Sequence, residues 1–359
     1  MHNVIQIIPP SKALMRSHSL KHDDRIYFYL KKILENQYYT ESGPLVLKLE
    51  ERLGRLLCAK NVVAVSNVTI AWLLLLEGAG LRGGKIFISH DLNPYLLKIF
   101  QLLACRPISI ELESYKNDEN GRNKLSQNGC KEASGILLTN RYSGVRDLHL
   151  ASMNGNIDLQ SSFLDSTDSF LSKYRSASTS SFVKAEVISL AQPSLVKAEY
   201  VAAIATNSDS LAHYLRCMRG SGGVTKQVDT TLSANGRMSE GQGGLGLAYL
   251  DVLNERITRN KQAYEGYNEI TSKVKGITVL SAREASSSAF DGYIFLLEDK
   301  DLEASIFENL KNIGAKVDQT KSNRFTVNSD PRHNHFVLPT NINAKDAVDL
   351  ASLLFGVEL

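Results

Sequence analysis

Short apolar strands alternate with helical segments over the first two thirds of the sequence, and this alternation most constrains the fold. Continuous apolar runs such as Asn61–Ser66 and Gly135–Thr139 predict strands that are buried on both faces. Segments with apolar residues at helical spacing, such as Pro44–Leu57 and Thr69–Ala79, separate these runs. Because parallel strands need a crossover connection, the alternation predicts a mostly parallel sheet covered by helices on both faces.

Seven strand-like runs are expected in this body. They are Asn61–Ser66, Lys85–Ser89, Arg106–Leu112, Gly135–Thr139, Ser161–Asp165, Ala185–Ala191 and Glu199–Thr206. Each is short and apolar, as is typical of strands between two layers of helices. The predicted fold class is therefore α/β, a three-layer sandwich around a mostly parallel seven-stranded sheet.

The pattern changes near Arg237, where an amphipathic helical stretch begins that runs to Ile270. Its first turns carry the glycines Gly241, Gly243, Gly244 and Gly246. Because a glycine lowers helix stability by about 1 kcal/mol, such a cluster predicts close packing against neighbouring helices. Two strand-like segments and two helices follow and predict a small C-terminal α+β domain. We therefore expect an N-terminal segment (1–42), a large α/β domain (43–240), and a linking helix with the small domain (241–359).

Composition excludes several classes of protein. The formal net charge is +3 and no dense Lys/Arg stripe is present, which argues against nucleic-acid binding. The longest apolar run is Ile70–Leu76, far shorter than the roughly 20 residues of a membrane-spanning helix. The amino terminus lacks the pattern of a signal peptide, and the four cysteines are scattered without a paired motif. These features predict a cytoplasmic protein with neither a nucleic-acid nor a membrane partner.

Three segments carry a resemblance to a known family. They read GPLVLKLEERLGRLLCAKNVVAVSNVTIAW from Gly43, NRYSGVRDLHLASMNGN followed by LDSTDSF from Asn140, and ANGRMSEGQGGLGLAYLD from Ala234. The third is similar to the family pattern N-x-R-M-S-E-x-Q. Together they resemble the DegT/DnrJ/StrS-type family of nucleotide-sugar aminotransferases, which use pyridoxal phosphate (PLP) in the aspartate aminotransferase fold, PLP-transferase fold type I. The resemblance runs from about Gly43 to Tyr267 and is loose beyond it.

The resemblance implies a cofactor site with four retained positions. Asp165 stands where the family has the acid that binds the pyridine nitrogen. Thr69 and Ser189 stand at the positions of the family's phosphate-binding hydroxyl residues. Asn235 stands at the position of the family's asparagine that reaches the partner's phosphate across the dimer. Asp165, Thr69 and Asn235 also have purely structural interpretations, since strand ends and helix starts use such side chains without any ligand.

Other positions depart from the family pattern. Asp91 stands at the aromatic residue that stacks on the ring, and Asp168 at the His or Gln that follows the acid. Val68 replaces a glycine and Ile70 a small residue beside the phosphate threonine, which crowds the place where the backbone approaches phosphate. The family's glycine loop after the lysine is absent. PLP is the cofactor that the resemblance implies, and these losses argue against its binding.

The position of the family's Schiff-base lysine decides the chemistry. A gapless alignment from Ile188 to Asn207 places Ser194 there, and a serine hydroxyl cannot form an imine. A second alignment with two compensating gaps makes Lys197 the lysine but loses the match of Ser189. We prefer the gapless alignment and keep the second as its alternative.

Three functions follow from these alignments. With Ser194 at the lysine position, the chain is either a pseudoenzyme or an enzyme of altered PLP chemistry with Asp168 or His90 as its base. With Lys197 as the lysine, it is an ordinary aminotransferase of a keto-sugar nucleotide. All three belong, by resemblance, to nucleotide-sugar and surface-polysaccharide biosynthesis. The implied partners are a second copy in a homodimer, an active paralogue, and a nucleotide-sugar ligand.

Overall fold

The computed structural model describes residues 3–8, 20–39, 43–88, 94–110, 133–140, 145, 148–149, 151, 157–190, 201–220, 235–279, 286–287, 290, 292–297, 299–321, 335–340 and 342–357. Its helices are α1 (Leu20–Asn36), α2 (Pro44–Leu57), α3 (Val68–Gly78), α4 (Pro94–Leu102), α5 (Asp209–Met218), α6 (Glu240–Asp251), α7 (Leu253–Thr271), α8 (Lys300–Asn312) and α9 (Ala344–Phe355). Its strands are β1 (Asn3–Ile8), β2 (Asn61–Val65), β3 (Lys85–Ile88), β4 (Arg106–Ser109), β5 (Gly135–Thr139), β6 (Ser162–Ser166), β7 (Lys173–Tyr174), β8 (Ala177–Ser178), β9 (Ala185–Ser189), β10 (Ala202–Thr206), β11 (Ile277–Val279), β12 (Ser286–Ser287), β13 (Tyr293–Leu297), β14 (Lys316–Lys321) and β15 (His335–Leu338).

A seven-stranded sheet is built from the middle of the chain, in the order β2-β10-β9-β6-β5-β3-β4. Neighbours from β4 to β9 run parallel, whereas β10 runs antiparallel to both β9 and β2. Parallel neighbours are joined by crossover connections, as the alternation of strands and helices predicts. The predicted α/β class and the mostly parallel seven-stranded sheet are confirmed.

Helices cover both faces of this sheet and make three layers. On one face, α3, α4 and α5 pack through a cluster that includes Trp72 and Phe100 against strand residues such as Val187. On the other face, α2 and α6 pack through residues such as Leu49 against Ala203 of β10. Among the described helices, none combines the length and the apolar character that crossing a membrane requires.

A second sheet combines C-terminal strands with the amino-terminal strand, in the order β11-β13-β15-β1-β14. β1 runs antiparallel to β14, with Asn3 opposite Lys321, and it runs parallel to β15. Ile5 and Ile7 of β1 are buried in the same core as Phe295 of β13. The strand β1 is not predicted from the sequence, because a short apolar run carries no local signal of a partner at the other end of the chain.

The amphipathic stretch that was expected to be one long helix forms two, α6 and α7. They are separated at Val252, which has ψ 10° and whose N–H donates to the Tyr249 carbonyl at 3.2 Å. Helix α6 packs on α1 and α2, whereas α7 packs on α9. The expectation of one continuous helix is wrong because each half buries its apolar residues in a different core.

Glycines at the start of α6 let neighbouring helices approach closely, as the sequence predicts. A Cβ on Gly243 would lie 3.0 Å from the backbone nitrogen of Val46, and one on Gly246 would lie 2.9 Å from Leu49 Cδ2. Gly241 does not take part, since a Cβ there would meet nothing closer than 3.8 Å.

Glu240 joins α6 to the beginning of α2. Its side chain is fully buried, and its carboxylate accepts hydrogen bonds from the backbone N–H groups of Leu45 at 2.9 Å and Val46 at 3.0 Å. These first-turn N–H groups have no partner within their own helix, and the helix dipole favours a negative charge beside them. Gly43 supplies no side-chain cap, and a Cβ there would lie 2.7 Å from Glu240 Cδ. The motif glutamate is therefore a structural residue.

Replacing Glu240 tests this role. Glu240→Ala should lower the free energy of unfolding by about 3 kcal/mol, because two charge-assisted hydrogen bonds are lost and two buried N–H groups remain unpaired. Glu240→Gln keeps one acceptor and should lose about half as much. Urea unfolding followed by circular dichroism measures both. Glu255→Ala is the matched control, because its ion pair with Arg259 is partly exposed and contributes less than about 0.5 kcal/mol. Equal losses in the two alanine variants would contradict the assignment.

Candidate functional site at the carboxyl edge of the central sheet

The carboxyl ends of β2, β5, β6 and β9 lie along one edge of the central sheet. Thr139 pairs with Asp165, and Ser189 and Val65 both pair with Ala202 at the beginning of β10. Ligands bind parallel sheets at this edge, because loops from several strands meet there. Two of the predicted site residues, Asp165 and Ser189, therefore lie where a site is expected.

Asp165 is buried at this edge, with 1% of its surface exposed, and its carboxylate is already hydrogen bonded. Thr167 donates twice to Oδ1, from its backbone N–H at 3.1 Å and from Oγ1 at 2.7 Å. The hydroxyl of Tyr95 donates to Oδ2 at 3.1 Å and lies 3.4 Å from Thr167 Oγ1. Within the described residues, these hydrogen-bond donors to the acid are neutral groups.

Burial raises the pKa of Asp165 to about 6, and the negative charge of Asp168 adds to this, while the hydrogen bonds from Thr167 and Tyr95 lower it. Burial also raises the pKa of Tyr95 well above its ordinary value, and the charge of Asp165 adds to it. Asp168 therefore lies close enough to act electrostatically on both groups. An acid that anchors a pyridinium nitrogen has to be ionised, and burial together with the charge of Asp168 makes ionisation of Asp165 less favourable than that of an ordinary aspartate.

Tyr95 approaches Asp165 from α4. It lies in the first turn of α4, directly after Pro94, and packs against the core between the central sheet and α3 to α5. Oδ1 of Asp165 accepts both hydrogen bonds from Thr167, and Oδ2 accepts the hydrogen bond from the Tyr95 hydroxyl. A pyridine nitrogen directed at Oδ2 would have to displace the Tyr95 hydroxyl from its hydrogen bond.

Thr69 lies on the first turn of α3 and is exposed. The N-cap of this helix is Asn67, whose Oδ1 accepts the N–H of Ile70 at 2.9 Å, so the interpretation of Thr69 as the N-cap is wrong. That hydrogen bond uses one of the N–H groups that a phosphate at the helix end would need. Val68 and Ile70 both pack against the core cluster beneath the helix.

Asn235 lies beside the same helix end. The carbonyl of Gly236 accepts from the N–H of Ser66 at 2.9 Å, and a Cβ on Gly236 would lie 2.6 Å from Ile70 Cγ2. The Asn235 side chain is exposed, and its Oδ1 accepts from Arg237 Nε at 3.2 Å. The structure therefore brings Asn235 to the phosphate end expected for the site, and its reach into a partner's site stays a prediction.

Ser189 ends β9, where it is buried, and its hydroxyl donates to the Val201 carbonyl at 3.5 Å. The chain that follows carries Ser194 and Lys197, which lie outside the described residues, and Asp91 lies outside them as well. The choice between Ser194 and Lys197 as the lysine position therefore stays a prediction.

Asn140 is a candidate that the sequence analysis missed. Its backbone N–H donates to the Asp165 carbonyl at 2.8 Å, and its own carbonyl accepts from Ser169 Oγ at 3.0 Å. The side chain is 1% exposed, and in the part of the chain that the structure describes neither Oδ1 nor Nδ2 has a hydrogen-bonding partner. Buried amides are nearly always paired. An asparagine directly after an apolar strand is the sequence signal that marks it.

Tyr95 and Thr167 were missed as well. Thr167 follows the acid by two residues, a spacing at which an Asp side chain commonly accepts from the backbone N–H. Tyr95 has no such signal, because it meets Asp165 from 70 positions away in the sequence.

The pH dependence of stability tests the environment of Asp165. Its folded pKa of about 6 exceeds the ordinary value of 3.8, so the folded state binds the proton more tightly and loses stability as the pH rises through this window. The loss amounts to about 3 kcal/mol. The stability of Asp165→Asn minus that of the parent should therefore rise by this amount between about pH 4 and 7, measured by urea unfolding.

Thr167→Val is the matched variant for this measurement. It removes a hydrogen bond that lowers the pKa of Asp165, so the loss of stability should move to higher pH. A stability difference between parent and Asp165→Asn that stays constant over the whole range would show that this carboxyl does not titrate there.

Comparison with known proteins agrees with this architecture. A curated relative, the dTDP-4-amino-4,6-dideoxy-D-glucose transaminase of Escherichia coli, is 22% identical over 276 residues, which cover 76% of this chain and 73% of that protein. The structure of NtdA from Bacillus subtilis with bound cofactor PMP superposes with a TM-score of 0.70 at 16% identity, over 95% of this chain and 83% of that one.

A second solved structure is GDP-4-keto-6-deoxymannose-3-dehydratase (ColD) with bound GDP-perosamine. It superposes with a TM-score of 0.73 at 17% identity, over 92% of this chain and 97% of that one. The model of the DegT/DnrJ/EryC1/StrS aminotransferase family matches residues 21–92 and 162–325, which is more than half of the chain. The chain therefore belongs to the DegT/DnrJ/EryC1/StrS aminotransferase family.

Proposed function

We propose that this chain is a sugar-aminotransferase homologue of nucleotide-sugar and surface-polysaccharide biosynthesis that does not carry out ordinary transamination. Ser194 stands at the family's lysine position, and its hydroxyl cannot take over the covalent role of an amine. The chain acts instead as a cytoplasmic pseudoenzyme, which keeps the fold of the family and binds a nucleotide sugar at the carboxyl edge of the sheet.

The arrangement at Asp165 is the observation that carries this proposal. A PLP site needs this acid ionised and directed at the ring nitrogen. Here Thr167 and Tyr95 donate to its two oxygens, and burial makes its ionisation less favourable than that of an exposed aspartate. Altered PLP chemistry, with Asp168 or His90 as the base, would need the same ring at the same acid. Of the two functions that follow from Ser194, we therefore prefer the pseudoenzyme.

Asn140 supports a polar ligand at this edge. Its buried amide offers an acceptor and two donors that have no partner among the described residues. Sugar hydroxyl groups donate and accept at once, so one sugar ring can pair with both sides of an amide. The relatives named for reactions of dTDP- and GDP-linked sugars favour a nucleotide sugar as this ligand.

A homodimer is the proposed assembly, and a complex with an active paralogue is its variant. Large apolar side chains are exposed on one side of α1 and at the start of α2: Tyr27, Leu30, Leu34 and Leu47. Burying one such side chain in an interface contributes about 1.5–3 kcal/mol. Asn235, which is exposed beside α3, is then available to a partner's site.

The alternative is an ordinary PLP-dependent aminotransferase of a keto-sugar nucleotide that uses Lys197. Membership of the family favours this function. It requires the rival alignment with two gaps, and it requires Tyr95 to leave Asp165 so that a ring can enter.

A labelling experiment separates the two functions. The purified chain is mixed with PLP, its visible absorbance is recorded, and borohydride reduction is followed by peptide mass analysis. We expect no pyridoxyl group on Lys197 and no cofactor absorbance, because the lysine position holds a serine and the Tyr95 hydroxyl is hydrogen bonded to Asp165. Lys197→Arg should behave like the parent. Lys184→Arg serves as the matched control, because Lys184 precedes β9 and lies at its other end.

Two outcomes would overturn the pseudoenzyme. A pyridoxyl group on Lys197, with cofactor absorbance that is lost in Lys197→Arg and kept in Lys184→Arg, would favour the ordinary aminotransferase. Bound PLP without any covalent adduct would favour altered PLP chemistry instead.

Asn140→Leu tests the ligand. The variant should bind dTDP-glucose or GDP-mannose about tenfold more weakly, since a sugar hydroxyl loses a buried hydrogen bond worth roughly 1.4 kcal/mol. Its thermal stability should be unchanged or higher, because the amide gives up no described hydrogen bond. Titration calorimetry measures binding, with the free nucleotide as a second ligand that should be affected less. Asn260→Leu is the control, an equally buried asparagine on α7 that should leave binding unchanged. Equal weakening in both variants would contradict the assignment.

A further inference from the structure

Helix α5 carries two side chains of the kinds that bind transition metals, and they lie next to each other. His213 Nε2 and Cys217 Sγ are 3.8 Å apart. Residues four positions apart in a helix lie on the same face, so the backbone of α5 holds both groups over one patch of its surface. His213 is exposed and Cys217 is partly exposed, so an ion can reach the pair from solvent.

The rest of α5 is anchored without any ligand. Leu211 and Leu215 are buried in the core cluster between the central sheet and the helices that cover it. At its beginning, the N-cap Ser208 accepts from the Leu211 N–H at 3.2 Å. Just beyond its end, Arg219 is fixed by the buried ion pair with Glu50. The positions of His213 and Cys217 on the surface are therefore set by the fold.

The separation of the two groups matches that of two ligands on one zinc ion. Zn–S bonds are about 2.3 Å and Zn–N bonds about 2.0–2.1 Å, so a tetrahedral ion holds its sulfur and nitrogen ligands about 3.6 Å apart. The observed 3.8 Å differs from this by about 0.2 Å. Thiolate and imidazole are also the ligands that zinc prefers, whereas Mg²⁺ and Ca²⁺ take oxygen ligands.

We propose that His213 and Cys217 form a binding site for Zn²⁺ on the surface of α5, with water in the remaining coordination positions. In the ranges that the structure describes, no third His, Cys, Asp or Glu side chain completes a metal-binding group with them. Cys217 lies in the last turn of α5, where the negative end of the helix dipole favours a cation. The inference goes beyond the proposed function, because it involves none of the residues assigned to the nucleotide sugar.

Binding exchanges a proton for the metal. The S–H bond of Cys217 breaks, its proton leaves to solvent, and the sulfur forms the bond to zinc, while His213 coordinates as the neutral imidazole. Affinity should therefore fall as the pH falls. The bound ion would tie the last turns of α5 together directly before Arg219, so it should also stabilise the folded chain.

Titration of the reduced chain with Co²⁺ tests the site, because Co²⁺ enters zinc sites and its bond to a thiolate gives an intense near-ultraviolet absorption band. We expect this band in the parent, its loss on addition of Zn²⁺, and a melting temperature that rises with Zn²⁺ concentration. Cys217→Ser should remove the band. His213→Ala should weaken Co²⁺ binding more than about tenfold, since it removes one of two protein ligands.

Cys58→Ser is the matched control. Cys58 is exposed at the end of α2, where its sulfur lies 3.9 Å from the Arg55 carbonyl, and its replacement should leave the band unchanged. Cys217→Ala replaces Cys217→Ser if that variant does not fold.

Three outcomes would overturn the inference: a parent without the band, a band that persists without Cys217, and unchanged Co²⁺ binding in His213→Ala. None of these measurements involves PLP or a sugar, so they stand or fall separately from the proposed function.

Discussion

The two hydrogen bonds that Glu240 accepts hold together the elements on which the rest of the structure depends. Glu240 ties the start of α6 to the first turn of α2. In the same turn, Ser239 and Gln242 form a capping box, and Gln242 Nε2 donates to the Ser66 carbonyl at 3.0 Å. Ser66 connects β2 to α3, and its N–H donates to Gly236. A buried carboxylate is tolerated only where donors surround it, so this one turn positions three helices at the carboxyl edge of the sheet.

A buried ion pair extends this framework. Arg219 Nη1 donates to Glu50 Oε1 at 2.6 Å and to the Ala64 carbonyl at 2.8 Å, and the Ala64 N–H donates to the same Glu50 oxygen. The end of α5 is thereby fixed to α2 and β2. Breaking such a pair costs several kcal/mol, because one charge is then left buried without a partner. The Arg219 carbonyl also accepts from Gly236, which links the ion pair to the turn around Glu240. Ser239, Glu240 and Gln242 of this framework lie in the segment that resembles the family pattern N-x-R-M-S-E-x-Q, and a retained fold does not by itself retain chemistry.

Part of this architecture could be predicted because it depends on local patterns of apolar residues in the sequence. The helix Pro44–Leu57 and the strand Gly135–Thr139 have the predicted bounds, since apolar spacing gives the extent of each and Pro44 and Gly135 mark where each begins. The break at Val252 could not be predicted, because the amphipathic pattern continues across it while the core that each half contacts changes. The pairing of β1 could not be predicted either, since nothing in a short apolar run specifies a partner strand at the far end of the chain.

The sequence by itself determined the α/β class, the seven strands of the central sheet, the family, and the presence of a carboxylate at the end of β6. Each of these depends on periodicity or on motifs that lie close together in the chain. Only the tertiary structure decided that Tyr95 would cover Asp165, that Asn140 would be buried with its amide unpaired among the described residues, and that Asn67 would cap α3. The first two depend on which residues of separate elements meet at the carboxyl edge of the sheet. The residues that form these contacts lie far apart in the chain, and no local sequence pattern indicates that they meet.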